Sequence, residues 1–263
     1  MHVEDERVIY LEERRDAILS MLERDEVVRI TDLSKRFHVS PATIRKDMRS
    51  LEQEGLIRRT HGGAIKPQHD HEMKLETAAV SAQDEKARIG RAAASLVRDN
   101  DVLLVQAGTT CRQFVRALKG KQGLTLFVSD FEIAMDIERI LPDSQIIFLG
   151  GAVRQGFHYT HGTEAIRQLH NYRIPTAYMC TNAFTFDIGF STHQLSQANW
   201  LQAQAEVAER RVMLLDSTKF GVSAPYGALG IDDIDCLVTD NGMDSKTRET
   251  IRHEAPELEI IFA

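Results

Sequence analysis

Four side chains suited to nucleic-acid contacts lie within seven positions of one another in the amino-terminal quarter of the chain: Thr43, Arg45, Lys46 and Arg49. Arginine and lysine bind phosphate oxygens and base edges, and threonine hydroxyls also reach base edges in the major groove. The apolar residues between them have helical spacings of four and three, and they are Ile44, Met48 and Leu51. The pattern predicts one helix with an apolar face on a core and a polar face toward DNA.

The residues before this helix predict a second, shorter helix and a tight turn. Thr31 is a candidate cap for a helix that ends at Phe37, and a turn follows. Ser40 is an N-cap candidate for the next helix, which starts at Pro41 and ends where Gly55 stops it. Ser40 also joins the candidate DNA contacts. Two helices joined by a short turn indicate a helix-turn-helix.

A basic hairpin follows the second helix. Arg58, Arg59 and His61 precede the pair Gly62 and Gly63, which permit a sharp turn and a close approach to DNA. We expect the three basic side chains to flank a phosphate or the minor groove. The stretch from residue 31 to 65 therefore predicts a winged helix-turn-helix.

Local charge favours DNA binding over the alternative of a merely solvated helix pair. Residues 29–66 contain nine Lys/Arg and four Asp/Glu, a balance of +5, whereas the whole chain has a net charge of -7. A basic island in an acidic chain is the electrostatic pattern of a DNA reader. Asp47 is the exception inside the DNA-contacting helix, and we expect it to pair with a basic neighbour.

Length and composition limit the protein class. The 263 residues suffice for a small and a larger domain, and no run of 18 apolar residues predicts a membrane span. The first residues lack the apolar segment of a signal peptide. Three cysteines, odd in number and widely spaced, do not form a metal-ligand motif and favour a reducing compartment, so we expect a cytoplasmic protein without a metal or cofactor.

The rest of the chain alternates short apolar runs with helical patterns. Such runs, separated by helices, predict an α/β domain with a mostly parallel sheet covered on both faces. The predicted strands are 102–105, 124–128, 146–149, 177–179, 212–215, 236–239 and 258–261. We divide the chain into a winged helix-turn-helix over 1–66, a linker over 67–84 and an effector domain over 85–263.

Ligands bind open α/β sheets at the carboxyl ends of the strands, so the residues after each strand are candidates. Gly108, Thr109 and Thr110 open a helix, where free N–H groups, hydroxyls and the helix dipole favour a phosphate; a capped loop is the alternative. Further candidates after other strands are Ser129, Asp130, Gly151 and Lys219.

The amino-terminal residues Thr43 to Met48, Gly55 and Arg59 to Ala64 resemble the signature of the DeoR family of bacterial transcriptional regulators. The stretches 107–110, 149–151, 216–221, 233–235 and 239–240 resemble the sensor domain of the same family. That domain is related to ribose-5-phosphate isomerase and glucosamine-6-phosphate deaminase and generally binds a phosphorylated sugar. The resemblance implies that Gly108, Thr109 and Thr110 cradle the phosphate, with Ser129, Gly151 and Lys219 nearby.

Two departures from the family pattern affect the predicted ligand. Asn182 stands where family sensors often have a carboxylate, and the neighbouring Phe184 adds bulk. Asp130 stands where an asparagine is usual, and its negative charge disfavours a second anionic group. We keep both Asn182 and Asp130 as effector-site candidates.

The leading hypothesis is a regulator, in the family most often a repressor of a carbohydrate operon, that binds double-stranded operator DNA and responds to a phosphorylated sugar. One alternative is a sugar-phosphate isomerase or deaminase fused to a DNA domain, but Asn182 cannot serve as its general base. Another is a regulator controlled by a partner protein. Because one winged helix reads few base pairs, we expect a homodimer or homotetramer.

Overall fold

The computed structural model describes residues 11–25, 27–53, 56–60, 62–65, 78 and 81–263. The chain divides into an amino-terminal unit up to residue 77 and a carboxy-terminal unit that starts at Ala78. Most of the predicted linker, 67–84, lies outside the described residues, so its limits stay a prediction.

The amino-terminal unit combines helices with a small antiparallel sheet of strand order β1-β3-β2. Its elements are α1 (Leu11–Asp25), β1 (Val27–Arg29), α2 (Ile30–Phe37), α3 (Pro41–Gln53), β2 (Arg58–Arg59) and β3 (Gly63–Ile65). This arrangement confirms the predicted winged helix-turn-helix. The strand β1 was not predicted, because three residues with alternating exposure leave almost no pattern in a sequence.

The predicted apolar stripe of α3 is confirmed. Ile44, Met48 and Leu51 are fully buried and pack with Ile18 of α1 and Leu33 of α2. This small core holds α3 against the two preceding helices. The opposite face of α3 is therefore left toward solvent.

The helix ends agree with the sequence at one position and differ at another. Ser40 caps α3, because its Oγ accepts a hydrogen bond from the Thr43 backbone N–H at 3.1 Å. The prediction that Thr31 caps α2 was wrong, since α2 begins at Ile30 and Arg29 occupies the N-cap position. The predicted stop at Gly55 lies outside the described residues.

The carboxy-terminal unit is built on a seven-stranded sheet in the order β15-β14-β12-β9-β4-β5-β6, and all its pairings are parallel. The strands of the unit are β4 (Val102–Val105), β5 (Thr125–Val128), β6 (Gln145–Phe148), β7 (Ala152–Arg154), β8 (Tyr159–His161), β9 (Ile174–Met179), β10 (Ala183–Thr185), β11 (Gly189–Thr192), β12 (Ala208–Leu214), β13 (Tyr226–Leu229), β14 (Cys236–Thr239) and β15 (Glu259–Phe262). Each of the seven predicted strands is present in the main sheet, which confirms the α/β class.

Helices cover both faces of this sheet. They are α4 (Gln83–Ala94), α5 (Thr109–Ala117), α6 (Phe131–Ile140), α7 (Thr163–Leu169), α8 (Leu195–Val207) and α9 (Ser245–Glu254). Neighbouring residues of β4 point into different cores: Leu103 packs with Phe114 of α5, and Leu104 packs with Trp200 of α8. Burial on both faces explains why the central strands of the sheet are mostly apolar, as in β4 with its sequence VLLV.

Two smaller strand assemblies were not predicted. β10, β11 and β13 form an antiparallel sheet, and β7 pairs with β8 in a hairpin. Phe184 of β10 is buried against Phe190 and Phe220, so its bulk fills this small sheet. Among the helices of the described chain, none has the length and apolar character needed to cross a membrane.

Candidate functional site

The outward face of α3 carries the predicted DNA contacts. Arg45, Lys46 and Arg49 are exposed, and Thr43 is half-buried. Among the described residues no carboxylate pairs with these three cations. Ser40 is exposed at the start of the helix, where its Oγ lies 2.9 Å from Thr43 Oγ1. The face therefore presents three cations and two hydroxyls from one rigid helix.

Asp47 is turned away from that face. Its side chain is buried, and its Oδ2 accepts a hydrogen bond from Arg14 Nε of α1 at 2.8 Å. The expected basic partner thus exists, but it comes from another helix. The pair fixes α3 to α1 and removes the carboxylate from the surface that DNA would contact.

The wing has a different arrangement of charge. Arg59 donates from Nε to Glu52 Oε2 at 2.7 Å, and its backbone N–H donates to Glu52 Oε1 at 3.0 Å. These hydrogen bonds lower the pKa of Glu52. Arg59 therefore joins α3 to the wing as well as carrying charge there. Arg58 starts β2, but its side chain, like the whole of His61, lies outside the described residues.

The strand order of the main sheet brings the other candidates to one edge. β12, β9, β4, β5 and β6 are consecutive neighbours, and each is followed by a predicted site segment. In that order the segments carry Lys219, Asn182, Gly108 to Thr110, Ser129 with Asp130, and Gly151. The carboxyl ends of parallel strands share an edge, so the fold assembles these segments side by side.

Asp130 joins two of these segments. It caps α6 by accepting hydrogen bonds from the N–H groups of Glu132 (2.8 Å) and Ile133 (3.0 Å). Burial raises the pKa of Asp130 to about 6, although hydrogen bonds from these groups and from the Gly108 N–H act in the opposite direction. Its carboxylate is therefore engaged by the chain itself and lies beside the start of α5.

The position of α5 is fixed by buried charge. Asp136 of α6 accepts hydrogen bonds from Arg112 Nε at 2.7 Å and Arg116 Nε at 2.8 Å, both on α5. The two arginines lower the pKa of Asp136 against the effect of burial, which is the largest single influence and acts upward. The amino ends of α5 and α6 are thereby held next to each other.

Some polar atoms of this edge are buried without a hydrogen-bond partner among the described residues. They include Ser129 Oγ, after β5, and Asn182 Oδ1, after β9. Buried polar groups in native proteins are almost always paired, so such atoms indicate a ligand or a bound water. Both belong to the predicted effector site.

Lys219 lies in a short 3-10 turn, Ser217–Lys219, that follows β12. The turn is held by Asp240, whose Oδ1 accepts from the Ser217 N–H at 2.7 Å, and by Asp216, which accepts from the Thr218 N–H at 3.2 Å. Asp216 is buried in this role. The turn therefore presents Lys219 on a rigid support.

Lys86 is a functional candidate that the sequence did not reveal. Its Nζ donates to the carbonyl oxygens of Ala78 (2.6 Å) and Ser81 (2.8 Å), and only 4% of the residue is exposed. Burial lowers the pKa of Lys86; the Asp216 carboxylate raises it and the Lys219 ammonium lowers it further. A lysine among Asp84, Glu85 and Arg88 resembles a solvated helix face, so only the tertiary structure reveals its burial.

Gly151 has a structural explanation. It has a φ of +153°, and a Cβ atom there would lie 2.6 Å from the carbonyl oxygen of His161. The close approach that the glycine permits is made by β8 of the chain's own hairpin. The same hairpin is bound to the sheet edge, because the Thr160 N–H donates to the Ser129 carbonyl at 2.8 Å.

These two units define a class of protein. A winged helix-turn-helix with an exposed basic helix, joined to an α/β domain with polar segments at one sheet edge, is the architecture of a DNA-binding transcriptional regulator with a sensor domain. Residues 14–69 match the DeoR-like helix-turn-helix domain, and residues 81–241 match the DeoR C terminal sensor domain. The chain belongs to the DeoR family, whose members are transcriptional regulators and not enzymes.

Individual relatives are similar over nearly the whole chain. An uncharacterised HTH-type transcriptional regulator, YgbI of Escherichia coli K12, is 32% identical over 92% of this chain and 95% of its own length. The lactose phosphotransferase system repressor of Lactococcus lactis is 30% identical over 87% of this chain and 90% of its own length.

The similarity to solved structures is weaker than the similarity to these relatives. Ribose 5-phosphate isomerase A from Methanocaldococcus jannaschii matches 53% of this chain and 55% of its own with 16% identity. The TM-score is 0.39, which is too low to support a conclusion about fold or activity.

Proposed function

We propose that this regulator represses a carbohydrate-utilisation operon and that a phosphorylated sugar bound in the sensor domain changes its affinity for operator DNA. Repression of a lactose phosphotransferase system is what the name of the Lactococcus lactis relative states for that protein. We extend repression and sugar control to this chain because the two sequences are similar over most of their length.

The observation that carries the proposal is the chemistry of the sheet edge. The start of α5 offers backbone N–H groups and the hydroxyls of Thr109 and Thr110, which suit a phosphate. Lys219 supplies positive charge, and Lys86 lies close enough to it for their charges to interact. We assign the unpartnered Ser129 Oγ and Asn182 Oδ1 to sugar hydroxyls, since a hydroxyl can donate to one and accept from the other.

On DNA, we assign base reading to α3 and phosphate contact to its flanks. Thr43, Arg45, Lys46 and Arg49 enter the major groove, and Ser40 contacts the backbone at the start of the helix. Arg58, Arg59 and His61 of the wing contact the neighbouring phosphates or the minor groove. These roles rest on the exposure of the α3 side chains and on the basic charge of the stretch.

Two copies of α3 are needed for a long operator, so we propose that the chain acts as a homodimer or homotetramer. Each copy then reads one half-site, and the ligand favours one arrangement of the copies. The protein acts on chromosomal DNA, and we place it in the cytoplasm. Light scattering of the purified chain tests the oligomer as a multiple of 29.7 kDa.

A thermal-shift screen tests the ligand class. Phosphorylated sugars are compared with the same sugars lacking the phosphate. A ligand at about 100 times its dissociation constant adds about 2.7 kcal/mol to the free energy of unfolding, which raises the midpoint by several degrees. The proposal predicts shifts from phosphorylated members alone. Equal shifts by both forms, or none, would contradict it.

A further inference from the structure

Two of the three cysteines meet beside the proposed effector site. Cys111 lies in the first turn of α5, and Cys180 follows β9, the strand next to β4. Cys111 Sγ lies 3.7 Å from the carbonyl oxygen of Tyr178, and Cys180 Sγ lies 3.5 Å from that of Ala107. Each thiol thus faces the main chain of the other's segment, and the two side chains lie close enough to shift each other's pKa.

The two thiols have different environments. Cys111 is fully buried, whereas Cys180 is partly exposed. The interaction with Cys111 lowers the pKa of the Cys180 thiol, the nearby Lys86 ammonium acts in the same direction, and burial acts against both. Burial raises the pKa of Cys111. A reagent from solvent therefore meets Cys180 first, and Cys180 is the better nucleophile because the thiolate is the reactive form.

We propose that Cys111 and Cys180 are an oxidation site for hydroperoxides, at which the two thiols are converted to an intrachain disulfide. The Cys180 thiolate attacks one oxygen of hydrogen peroxide; an S–O bond forms, the O–O bond breaks, and the departing hydroxide takes a proton to give water. Cys111 sulfur then attacks the sulfenic sulfur. The S–S bond forms, the S–O bond breaks, and the hydroxide leaves as a second water with the Cys111 proton.

The step balances in electrons as well as atoms. One peroxide is reduced to two waters, and two thiols are oxidised to one disulfide with the loss of two hydrogens. No further co-reactant is required. A thiol reductant converts the disulfide back to two thiols by thiol–disulfide exchange.

Oxidation changes the segment that we assign to the phosphate. A disulfide bond is about 2.05 Å long, much shorter than the separation of two unbonded sulfur atoms, so it draws the first turn of α5 and Cys180 together. Gly108, at the start of this turn, is already close to Cys180, because a Cβ there would be 2.6 Å from Cys180 Sγ. The N–H groups of this turn must then move. This consequence rests on the proposed function, and it predicts weaker binding of phosphate by the oxidised chain.

Mass spectrometry of the full chain tests the oxidation site itself. After hydrogen peroxide treatment, we expect a loss of about two mass units and a peptide pair linking Cys111 to Cys180, both reversed by dithiothreitol. Cys236 is fully buried in β14, so Cys236→Ser is a matched control that keeps the crosslink. Cys180→Ser removes it, and Cys111→Ser leaves a sulfenic acid at Cys180 that dimedone labels.

The proposal is overturned if wild-type chain gives no Cys111–Cys180 peptide pair and carries only over-oxidised thiols or crosslinks between chains. This result is read on wild-type protein, so it does not depend on the folding of a variant.

A second measurement tests the consequence with inorganic phosphate as the probe. Phosphate should raise the thermal midpoint of the reduced chain more than that of the oxidised chain, and dithiothreitol should restore the difference. Equal stabilisation of both forms would overturn the link between the thiol pair and the anion site. If phosphate fails to stabilise even the reduced chain, the proposed effector site fails, while the crosslink result decides the oxidation site independently.

Discussion

Asp47 and Glu52 are two carboxylates of α3 with opposite surroundings. Asp47 is buried with Arg14, whereas the side chains of Glu52 and Arg59 are each 36% exposed. Breaking a buried ion pair is strongly destabilising, whereas a surface pair contributes little. The same helix therefore carries one buried ion pair, at Asp47, and one surface ion pair, at Glu52.

We predict that Asp47→Ala destabilises the winged helix by on the order of 3 kcal/mol. The matched control Glu52→Ala should change the free energy of unfolding by about 0–1 kcal/mol. Urea unfolding of the full chain, followed by circular dichroism, measures both. Equal effects of the two substitutions would show that the Arg14–Asp47 pair does not hold α3 in place.

Asp130 predicts a pH dependence of stability. Burial raises its pKa in the folded chain to about 6, above the ordinary 3.8, so folding favours the protonated form. Its contribution is therefore present below the unfolded pKa and is lost as the pH rises through about 6. The difference of roughly two pKa units corresponds to up to about 3 kcal/mol.

Asp130→Asn keeps an oxygen for the α6 cap and removes the titration. We expect this variant to gain stability relative to wild type as the pH rises from about 4 to about 7. Asp244 also caps a helix, but hydrogen bonds from Thr247 hold its pKa below 3.8, so Asp244→Asn should show no such gain. The measurement is the thermal midpoint of each variant across this pH range. Parallel curves of midpoint against pH for wild type and Asp130→Asn would contradict the account.

At the scale of elements, the wing depends on a glycine. A Cβ atom at Gly63 would lie 1.9 Å from the carbonyl oxygen of Val28 in β1, the strand that pairs with β3. A Cβ atom at Gly62, one position earlier, would have no other atom within 4 Å. The neighbouring glycines thus form a natural test of the strand contact.

We predict that Gly63→Ala forces β1 and β3 apart, costs about 1–3 kcal/mol of stability, and weakens DNA binding. Gly62→Ala, whose Cβ meets no neighbouring atom, should leave the stability nearly unchanged. Thermal unfolding and electrophoretic mobility shifts on the same DNA fragment provide the two readouts. Wild-type behaviour of Gly63→Ala would mean that the wing does not need this close pairing.

The main strands could be predicted because a strand buried on both faces is apolar at nearly every position. β10, β11 and β13 could not, since glycine, serine or threonine interrupts their apolar runs, and β13 lies more than 30 residues from its partner β11. The burial of Lys86 and the Arg14–Asp47 ion pair could not be predicted from the sequence either. Their contacts depend on segments brought together by the fold.

At the scale of the whole molecule, the regulator joins a DNA-reading unit to a sensor unit. The candidate residues at the sheet edge could be predicted from the sequence, because each follows an apolar strand. Which of them face a ligand depends on packing. Gly151 is explained by the β8 hairpin, and Asp130 by the α6 cap, whereas Ser129 and Asn182 keep unpartnered polar atoms among the described residues. The last two are the stronger candidates for sugar contacts.

Lys219 is the cation that we assign to the proposed effector site. We predict that Lys219→Ala lowers the affinity for a phosphorylated sugar by about 10–150-fold, the loss of one charged hydrogen bond, and leaves DNA binding without ligand unchanged. Lys119→Ala, an exposed lysine just after α5, is the matched control. Calorimetric titration with the stabilising sugar phosphate measures the change, and equal affinities for the two variants would remove Lys219 from the site.

The most direct test of the central claim is the operator affinity itself. A binding site selected from random DNA is titrated with the full chain, with and without the sugar phosphate that stabilises it, and fluorescence anisotropy reports binding. We predict a change in dissociation constant of about 5–150-fold, corresponding to a coupling of about 1–3 kcal/mol, which Lys219→Ala abolishes. The same operator affinity at saturating and zero ligand would contradict the account.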